Sequence, residues 1–364
     1  MSSLRLDQVD TEIDLEALLV GFVPTPRFAA VSFASYRPNP DYPSQGQALD
    51  YLEHFSARLN TSQPTRLPWL PDWLGHARPS GPRGVYLDGG FGVGKTHLLA
   101  ATYHAAQVPK LYLSFSELAY TMVQLGLPAC IDQFRRYRLI SLDELELDDI
   151  ANTRMAAAFL RGVTAGASGS RIVTTSNTQP SDLGQGRFAA GQFAREIGEI
   201  AATFVVLAVD GDDYRHRPWT SPERTADPDA SCQAGLISSA DLRAAFAAAR
   251  DSSGASVFVS HSELLALLAR LYPIRYTRLL DSIGALFIDD LAPMPDQDQA
   301  LRFVHFIDKA YDLQVPVAAS ASVPLVEIFA PEYRDRGYAK KYQRCLSRLG
   351  ELFAESARSR SEWA

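Results

Sequence analysis

The sequence predicts an α/β protein: a parallel sheet with helices on both faces, followed by a second α/β half. Three observations carry this expectation. Apolar runs near 84–87, 111–115, 139–143, 171–176 and 204–209 alternate with helical spacing, the pattern of strands buried by crossover helices. The first run leads directly into a glycine-rich turn and then a helical segment. Finally, three of the strand–helix patterns recur about 146 positions later without that turn.

The turn comes first in the chain. Residues 89–96 read Gly-Gly-Phe-Gly-Val-Gly-Lys-Thr, a complete G-x-x-x-x-G-K-[ST] phosphate-binding loop. Gly84-Val85-Tyr86-Leu87 before it is strand-like, and His97-Leu98-Leu99-Ala100 after it is helical. That context separates a phosphate loop from a chance match. Gly89, Gly90, Gly92 and Gly94 carry no Cβ, so the backbone, including Phe91 and Val93, is free to curl around phosphate oxygens. The loop amides and the helix start through His97 offer partial positive charge to an anion. Lys95 is placed to reach the β- and γ-phosphates of a nucleotide, and Thr96 to ligate Mg²⁺. A plain strand-to-helix turn has no packing reason to end in Lys-Thr.

The third strand, Leu139-Ile140-Ser141-Leu142-Asp143, runs into Glu144. Apart from Ser141 it is apolar, the form of a Walker B strand. Asp143 is expected to hold Mg²⁺ through water beside Thr96, and Glu144 to act as general base on the attacking water. Neighbouring carboxylates on a strand face opposite ways, so the strand must end there for both to serve one site. The acidity continues through Glu146, Asp148 and Asp149. The fourth strand ends Thr174-Thr175-Ser176-Asn177. It resembles sensor 1 of the AAA+ ATPases, in which an Asn orients the lytic water from a strand between those of the P-loop and Walker B. Gly89, Asp143 and Asn177 all fall at carboxyl ends of strands, where open α/β sheets bind ligands.

Composition bounds the rest. The 364 residues suffice for two domains with extensions, grouped as an N-terminal extension over 1–80, a P-loop core over 81–210, a linker or surface excursion over 211–255 and a C-terminal half over 256–364. Hydrophobic content is 46% with no long uncharged apolar run, so no transmembrane span is expected. The N-terminus lacks a signal-peptide pattern. Cys130, Cys232 and Cys345 are scattered and suit a reducing cytoplasm. A net charge of −7 argues against nonspecific nucleic-acid binding by the whole chain and leaves a local basic groove open. Phe33, Tyr36 and Gln45, in a proline- and aromatic-rich strap, are candidates to wall an adenine or simply to pack.

The C-terminal half echoes the core. Leu111-Tyr-Leu-Ser-Phe-Ser-Glu-Leu118 aligns with Val257-Phe-Val-Ser-His-Ser-Glu-Leu264. The same shift of 146 sets Leu142-Asp143-Glu144-Leu145 on Ile288-Asp289-Asp290-Leu291 and Thr174-Thr175-Ser176 on Ser320-Ala321-Ser322. No P-loop accompanies the echo, since 235–242 read Gly-Leu-Ile-Ser-Ser-Ala-Asp-Leu. Asp289 and Asp290 are therefore not expected to be catalytic.

With these residues in hand, the chain resembles the ZapE family of cell-division ATPases, bacterial relatives of the mitochondrial Afg-type AAA+ proteins, from about residue 30 to 353. Val209-Asp-Gly-Asp-Asp-Tyr-Arg215-His-Arg217 is similar to the family's V-D-G-x-D-Y-R-x-R. Arg302-Phe303-Val-His-Phe-Ile-Asp308-Lys-Ala-Tyr311-Asp312-Leu-Gln-Val315 resembles R-F-x-x-L-(V/I)-D-x-x-Y-D-x-x-V, and Arg344-Cys-Leu-Ser347-Arg348-Leu349 resembles R-x-x-S-R-L. There are departures. Asp88 stands where many members have Trp, no Arg lies between Val93 and Gly94, and the usual L-Q-R after sensor 1 is absent.

The resemblance implies an AAA+ ATP hydrolase working as a homo-oligomer on a protein partner, the division ring or its FtsZ subunit, or in protein quality control as for the mitochondrial members. Recruitment from the cytoplasm to the division site goes with the first. Such sites usually borrow an Arg from a neighbouring subunit. Arg187 and Arg195 lie where such fingers sit, and Arg348 or Arg344 are candidates for sensor 2. Two rivals stand beside this reading. One is a replication loader of the DnaA or DnaC kind, against which no helix-turn-helix follows the core. The other is a nonhydrolysing nucleotide-dependent scaffold, against which Glu144 argues.

Overall fold

The computed structural model describes residue 6 and residues 19–61, 82–90, 92–147, 150–166, 169–180, 194–211, 236–252, 256–334 and 338–363. Contacts divide the described parts into two units, one from Val20–Pro24 and Phe28–Arg217, the other from Met1–Leu19, Thr25–Arg27 and Pro218–Ala364.

In the first unit, β1 (Gly84–Asp88), β2 (Lys110–Ser114), β3 (Leu139–Asp143), β4 (Arg171–Ser176) and β5 (Phe204–Ala208) form one parallel sheet in the order β2-β3-β4-β1-β5. Helix α1 (Pro43–Thr61) precedes β1. Crossovers are made by α2 (Lys95–Ala105), α3 (Phe115–Leu125) with α4 (Leu127–Phe134), α5 (Ile150–Thr164) and α6 (Ala194–Thr203). Val85, Leu87, Tyr112, Leu139 and Val173 pack with Leu98 and Leu99 of α2 and with Leu52 and Phe55 of α1. The alternate residues Tyr86, Ile140, Leu142 and Ile172 are also buried and by the pleat face the other way. This double burial is why these strands read as continuous apolar runs. β2 passes into α3 without a loop, because Ser114 and Glu117 form a capping box that satisfies the first helical amides.

In the second unit, β6 (Ser256–Ser260), β7 (Ala285–Leu291) and β8 (Val317–Ala321) form a parallel sheet in the order β6-β7-β8. Helix α7 (Ser239–Ser252) covers one face, setting Leu242, Phe246 and Ala249 against Phe258, Ala285, Phe287 and Ala318. The other face packs Val257, Leu286, Ile288, Val317 and Ala319 against α8 (His261–Arg270), α9 (Arg275–Asp281), α10 (Gln297–Asp312) and α11 (Ala339–Trp363). The sequence reading assigns 239–252 to the excursion between halves. The structure makes it a covering helix, since Leu242, Phe246 and Ala249 recur at helical spacing on one side. Among the described residues no helix is long and apolar enough to cross a membrane.

The echo extends to detail. The shift of 146 carries β2 onto β6 and the Ser114–Glu117 capping box onto that of Ser260 and Glu263. It carries Glu144, at φ 52°, onto Asp290, at φ 59°. One correction applies at the last strand. Ile140 pairs with Ile172, whereas Leu286 pairs with Val317, so β8 is one residue early and Ser320 occupies the place of Thr175. Ile237 donates its N–H to Ala319 of β8 at 3.1 Å. Only Ser238 separates it from α7, which leaves no room for a phosphate loop.

The family-like segments of α10 and α11 meet in the second unit. Asp308 is clamped by Arg344 and Arg348, both at 2.6 Å, and Arg348 also approaches Asp312 at 3.9 Å. The Tyr311 hydroxyl donates to Glu351 at 2.5 Å. Arg27 stacks 3.6 Å from the Tyr311 ring centre and pairs with Glu355. Burial would raise the Asp308 pKa, but the two guanidinium groups overcome it and hold the carboxylate ionised. The side chains of Asp308, Arg344 and Arg348 are 11%, 5% and 13% exposed. Removing the anion therefore strands two cations away from water. Asp308→Asn is expected to cost about 3–5 kcal/mol of stability, read as a lowered midpoint in chemical denaturation followed by circular dichroism. A midpoint within error of the parent's would mean that water, not Asp308, compensates the arginines.

Candidate functional site

The site is built where strands stop. Asp88 of β1 pairs in register with Ser176 of β4, and Asp143 ends β3 beside them. The P-loop departs from Asp88, and Asn177 follows Ser176 directly. The parallel register thus brings three loops to one level of the sheet.

Gly94 has φ 93°, a left-handed conformation that disfavours any Cβ. A Cβ there would also lie 2.6 Å from the Tyr36 ring. Tyr36 presses on the loop from outside and donates its hydroxyl to the Val93 carbonyl at 3.2 Å. His97 stands edge-on to Tyr36 at 5.5 Å and hydrogen-bonds Ser35 Oγ and the Ser32 carbonyl. Gln45, in the first turn of α1, accepts from the Asn39 N–H of the strap at 2.8 Å and donates to the carbonyl of Asp210, just past β5, at 2.7 Å. Phe33, by contrast, packs in the apolar core around α1 and α2. The strap therefore holds the outer wall of the loop.

Inside the loop, Lys95 is 8% exposed. Its ammonium donates to the carbonyls of Gly89 and Gly90, at 2.7 and 2.5 Å, and to Asn177 Oδ1 at 3.0 Å. Burial pulls its pKa down to about 8, against the opposing pull of Asp143, Asp88, Glu144 and Glu146. Asn177 Nδ2 in turn donates to Glu146 at 3.3 Å.

Asp143 is surrounded by hydroxyls. Thr175 donates to Oδ1 at 2.5 Å, Tyr112 to Oδ2 at 2.9 Å, and Thr96 lies 3.4 Å from Oδ1. Burial, then the neighbouring Glu144, raise the Asp143 pKa, while the Thr175 and Tyr112 hydrogen bonds oppose the rise. A carboxylate beside the threonine hydroxyl that opens α2 is an oxygen donor set suited to Mg²⁺. At Glu144 the chain turns left-handed, directly after the strand ends at Asp143. Its N–H donates to Thr175 Oγ1 at 2.9 Å.

Lys95, Thr96, Asp143, Glu144 and Asn177 are thus brought together with Gly89, Gly90, Gly92, Val93 and Gly94. Phe91 and Arg187 lie outside the described residues. Arg195 sits in the first turn of α6, exposed and paired with Glu199 at 3.1 Å. Arg344 and Arg348 belong to the second unit, held by Asp308. The sequence reading gave no site role to Tyr112, Thr175 or Glu146. The only available signal was strand parity: Tyr112 pairs with Ser141, which shares a strand face with Asp143.

In the second unit the corresponding carboxylate, Asp289, is bound by Ser239, Ser320 and Arg243 at 2.7, 2.6 and 2.9 Å. Against a burial penalty, these contacts lower its pKa. A tethered guanidinium occupies it, and Ser322 stands one residue past β8, where Asn177 follows β4.

The chain is 28% identical over 326 residues to the cell division protein ZapE of Escherichia coli (strain K12), covering 78% of this chain and 81% of that protein. Among solved structures, AMPPCP-bound DnaA from Aquifex aeolicus covers 89% of this chain and 97% of its own, at 11% identity and a TM-score of 0.38. A DNA replication initiation factor matches over half of each chain, at 14% identity and a TM-score of 0.37. The profile of the AFG1-like ATPases matches residues 25–361, which takes in the loop, both carboxylates, Asn177 and the buried Asp308–Arg344–Arg348 cluster; the chain belongs to the AFG1-like ATPase family.

Proposed function

We propose that this protein hydrolyses ATP and uses the cycle, as an oligomer, to remodel a protein partner in cell division. The observation that carries the hydrolytic reading is the convergence of Lys95, Asp143, Glu144 and Asn177 at the carboxyl ends of β1, β3 and β4. The likeness to a cell division protein supports the setting, and FtsZ is the partner that the setting suggests.

The loop amides and Lys95 hold the β- and γ-phosphates, in exchange for the carbonyl contacts that Lys95 makes in the free protein. Thr96 and Asp143 would hold Mg²⁺, which neutralises charge on the phosphate oxygens when bound. Glu144 accepts a proton from the attacking water, and Asn177 orients that water. Arg187, and in its place Arg195, are the proposed donors to a neighbouring subunit's γ-phosphate. Thr96, Asp143 and the P-loop belong to one unit, so binding needs no second chain, whereas full turnover does.

Lys95→Ala is expected to abolish both ATP binding and phosphate release, whereas Glu144→Gln should bind ATP and release phosphate about 10²–10⁴-fold more slowly. Stopped-flow detection of phosphate and equilibrium binding of a fluorescent ATP analogue separate the two. Full-rate release by Glu144→Gln would move the base elsewhere. A parent protein that binds ATP without releasing phosphate would make it a nucleotide-dependent scaffold.

Lys95 must be cationic to hold phosphate, and its pKa in the free protein is about 8. Bound phosphate raises that value. Affinity is therefore fully present below it and weakens as the pH rises through it, by up to about tenfold per unit. Calorimetry with a nonhydrolysable analogue, in two buffers of different ionisation heat, should register proton uptake at about pH 9, where the analogue's phosphates are ionised and free Lys95 is largely neutral. Buffer-independent heats at the higher pH would mean that Lys95 is already charged there.

A further inference from the structure

We propose that Thr175 is a positioning residue for the Asp143–Glu144 pair, and that its hydroxyl, rather than its bulk, sets the turn that aims Glu144. The proposal rests on the ATPase reading for its consequence in turnover. The geometry beneath it stands independently.

Thr175 is the next-to-last residue of β4, 2% exposed, beside the end of β3. Its hydroxyl works in both directions, donating to Asp143 Oδ1 and accepting from the Glu144 N–H. Glu144 stands at φ 52°, which residues with a Cβ adopt uncommonly. Left extended, its carboxylate would point to the sheet face opposite Asp143. The Thr175 bridge thus stabilises the backbone that lets both carboxylates serve one site.

The second unit supplies an independent observation. Ser320 donates to Asp289 Oδ1 and accepts from the Asp290 N–H at 2.8 Å, and Asp290 stands at φ 59°. Only three described non-glycine residues have positive φ, and two of them sit at these matching bends. That unit has no phosphate loop between Ile237 and α7, so its bend does not depend on nucleotide chemistry. Serine and threonine share the hydroxyl and differ by the methyl. At the first bend the Glu144 N–H also donates to Asp143 Oδ1 at 3.1 Å and the Leu145 N–H to the Thr175 carbonyl at 2.8 Å; the hydroxyl bridge is the side-chain contact that the two bends share.

The test compares Thr175→Val, which keeps shape, with Thr175→Ser, which keeps the hydroxyl, and with Ser320→Ala, which removes the equivalent bridge outside the site. All are made in the full chain. Thr175→Val should bind a fluorescent ATP analogue within about threefold of the parent but lower kcat by about 10²-fold or more, the loss expected when a general base is misaligned. Thr175→Ser should recover most of that loss, and Ser320→Ala should hydrolyse at the parent rate. A second readout needs no activity: hydrogen exchange at the Glu144 amide, followed by mass spectrometry of peptides spanning 143–147, should quicken in Thr175→Val and not in Thr175→Ser. Parent-like turnover in Thr175→Val overturns the proposal, as does failure of Thr175→Ser to rescue. If the parent itself releases no phosphate, the ATPase reading fails, and the exchange comparison alone decides; equal exchange in the Val and Ser variants overturns the positioning role. If Thr175→Val does not fold, Thr175→Ala takes its place. Unfolding of both, with Ser320→Ala folded, assigns Thr175 to packing and also overturns it.

Discussion

The parallel register of β3, β4 and β1 is the constraint on which the site depends. Asp88 lies opposite Ser176, and Leu142 opposite Thr174. These pairings hold the P-loop, the acidic bend and Asn177 at one height. A slip of one residue would turn Asp143 to the other face of the sheet and separate it from Thr96. The register is in turn held by burial on both faces, with Val85, Leu87 and Val173 packed among α1 and α2. Since the helices dock on fixed side-chain positions, the apolar core and the polar site are set by the same alignment.

Within that frame, the electrostatics centre on one buried cation. Lys95 is surrounded by Asp88, Asp143, Glu144 and Glu146. Burial nevertheless wins, because removing an ammonium from water costs more than partly screened carboxylates return. The ammonium therefore rests on loop carbonyls and Asn177. A phosphate offers it a stronger acceptor and adds negative charge where the carboxylates already lie, so a second cation beside Thr96 and Asp143 is chemically consistent. The loop, the lysine and the acidic bend form one charge arrangement.

The second unit keeps the strands, the capping box and the bend, and replaces the chemistry. Arg243 and Ser239 satisfy Asp289 from α7, where Thr96 of α2 faces Asp143 in the first unit. A single-residue step from Ile237 to α7 leaves no backbone to cradle an anion. The polar residues most distinctive of the C-terminal half, Asp308, Arg344 and Arg348, are consumed in a buried ion cluster. Desolvation offsets much of the attraction within such a cluster, whereas removing one member leaves an uncompensated buried charge.

The sequence by itself determined the sheet, the helices that follow its strands, and which residues stand where those strands end: the glycine-rich loop, Asp143 with Glu144, and Asn177. Each of these is specified by neighbours in the chain: glycines that permit left-handed backbone, apolar runs that demand burial, a lysine that has no role in a plain turn. The tertiary structure alone decided the rest. Tyr112 and Thr175 reach Asp143 only because adjacent strands align them, over 31 and 32 positions of chain. Arg348, a sensor candidate by motif, is directed to Asp308 by the packing of α11 on α10, and residues 239–252 became a covering helix because the three-stranded sheet had an apolar face to bury. These outcomes depend on pairings distant in sequence, where a side chain's role follows from the face of the strand or helix it occupies and from the partner that meets it there.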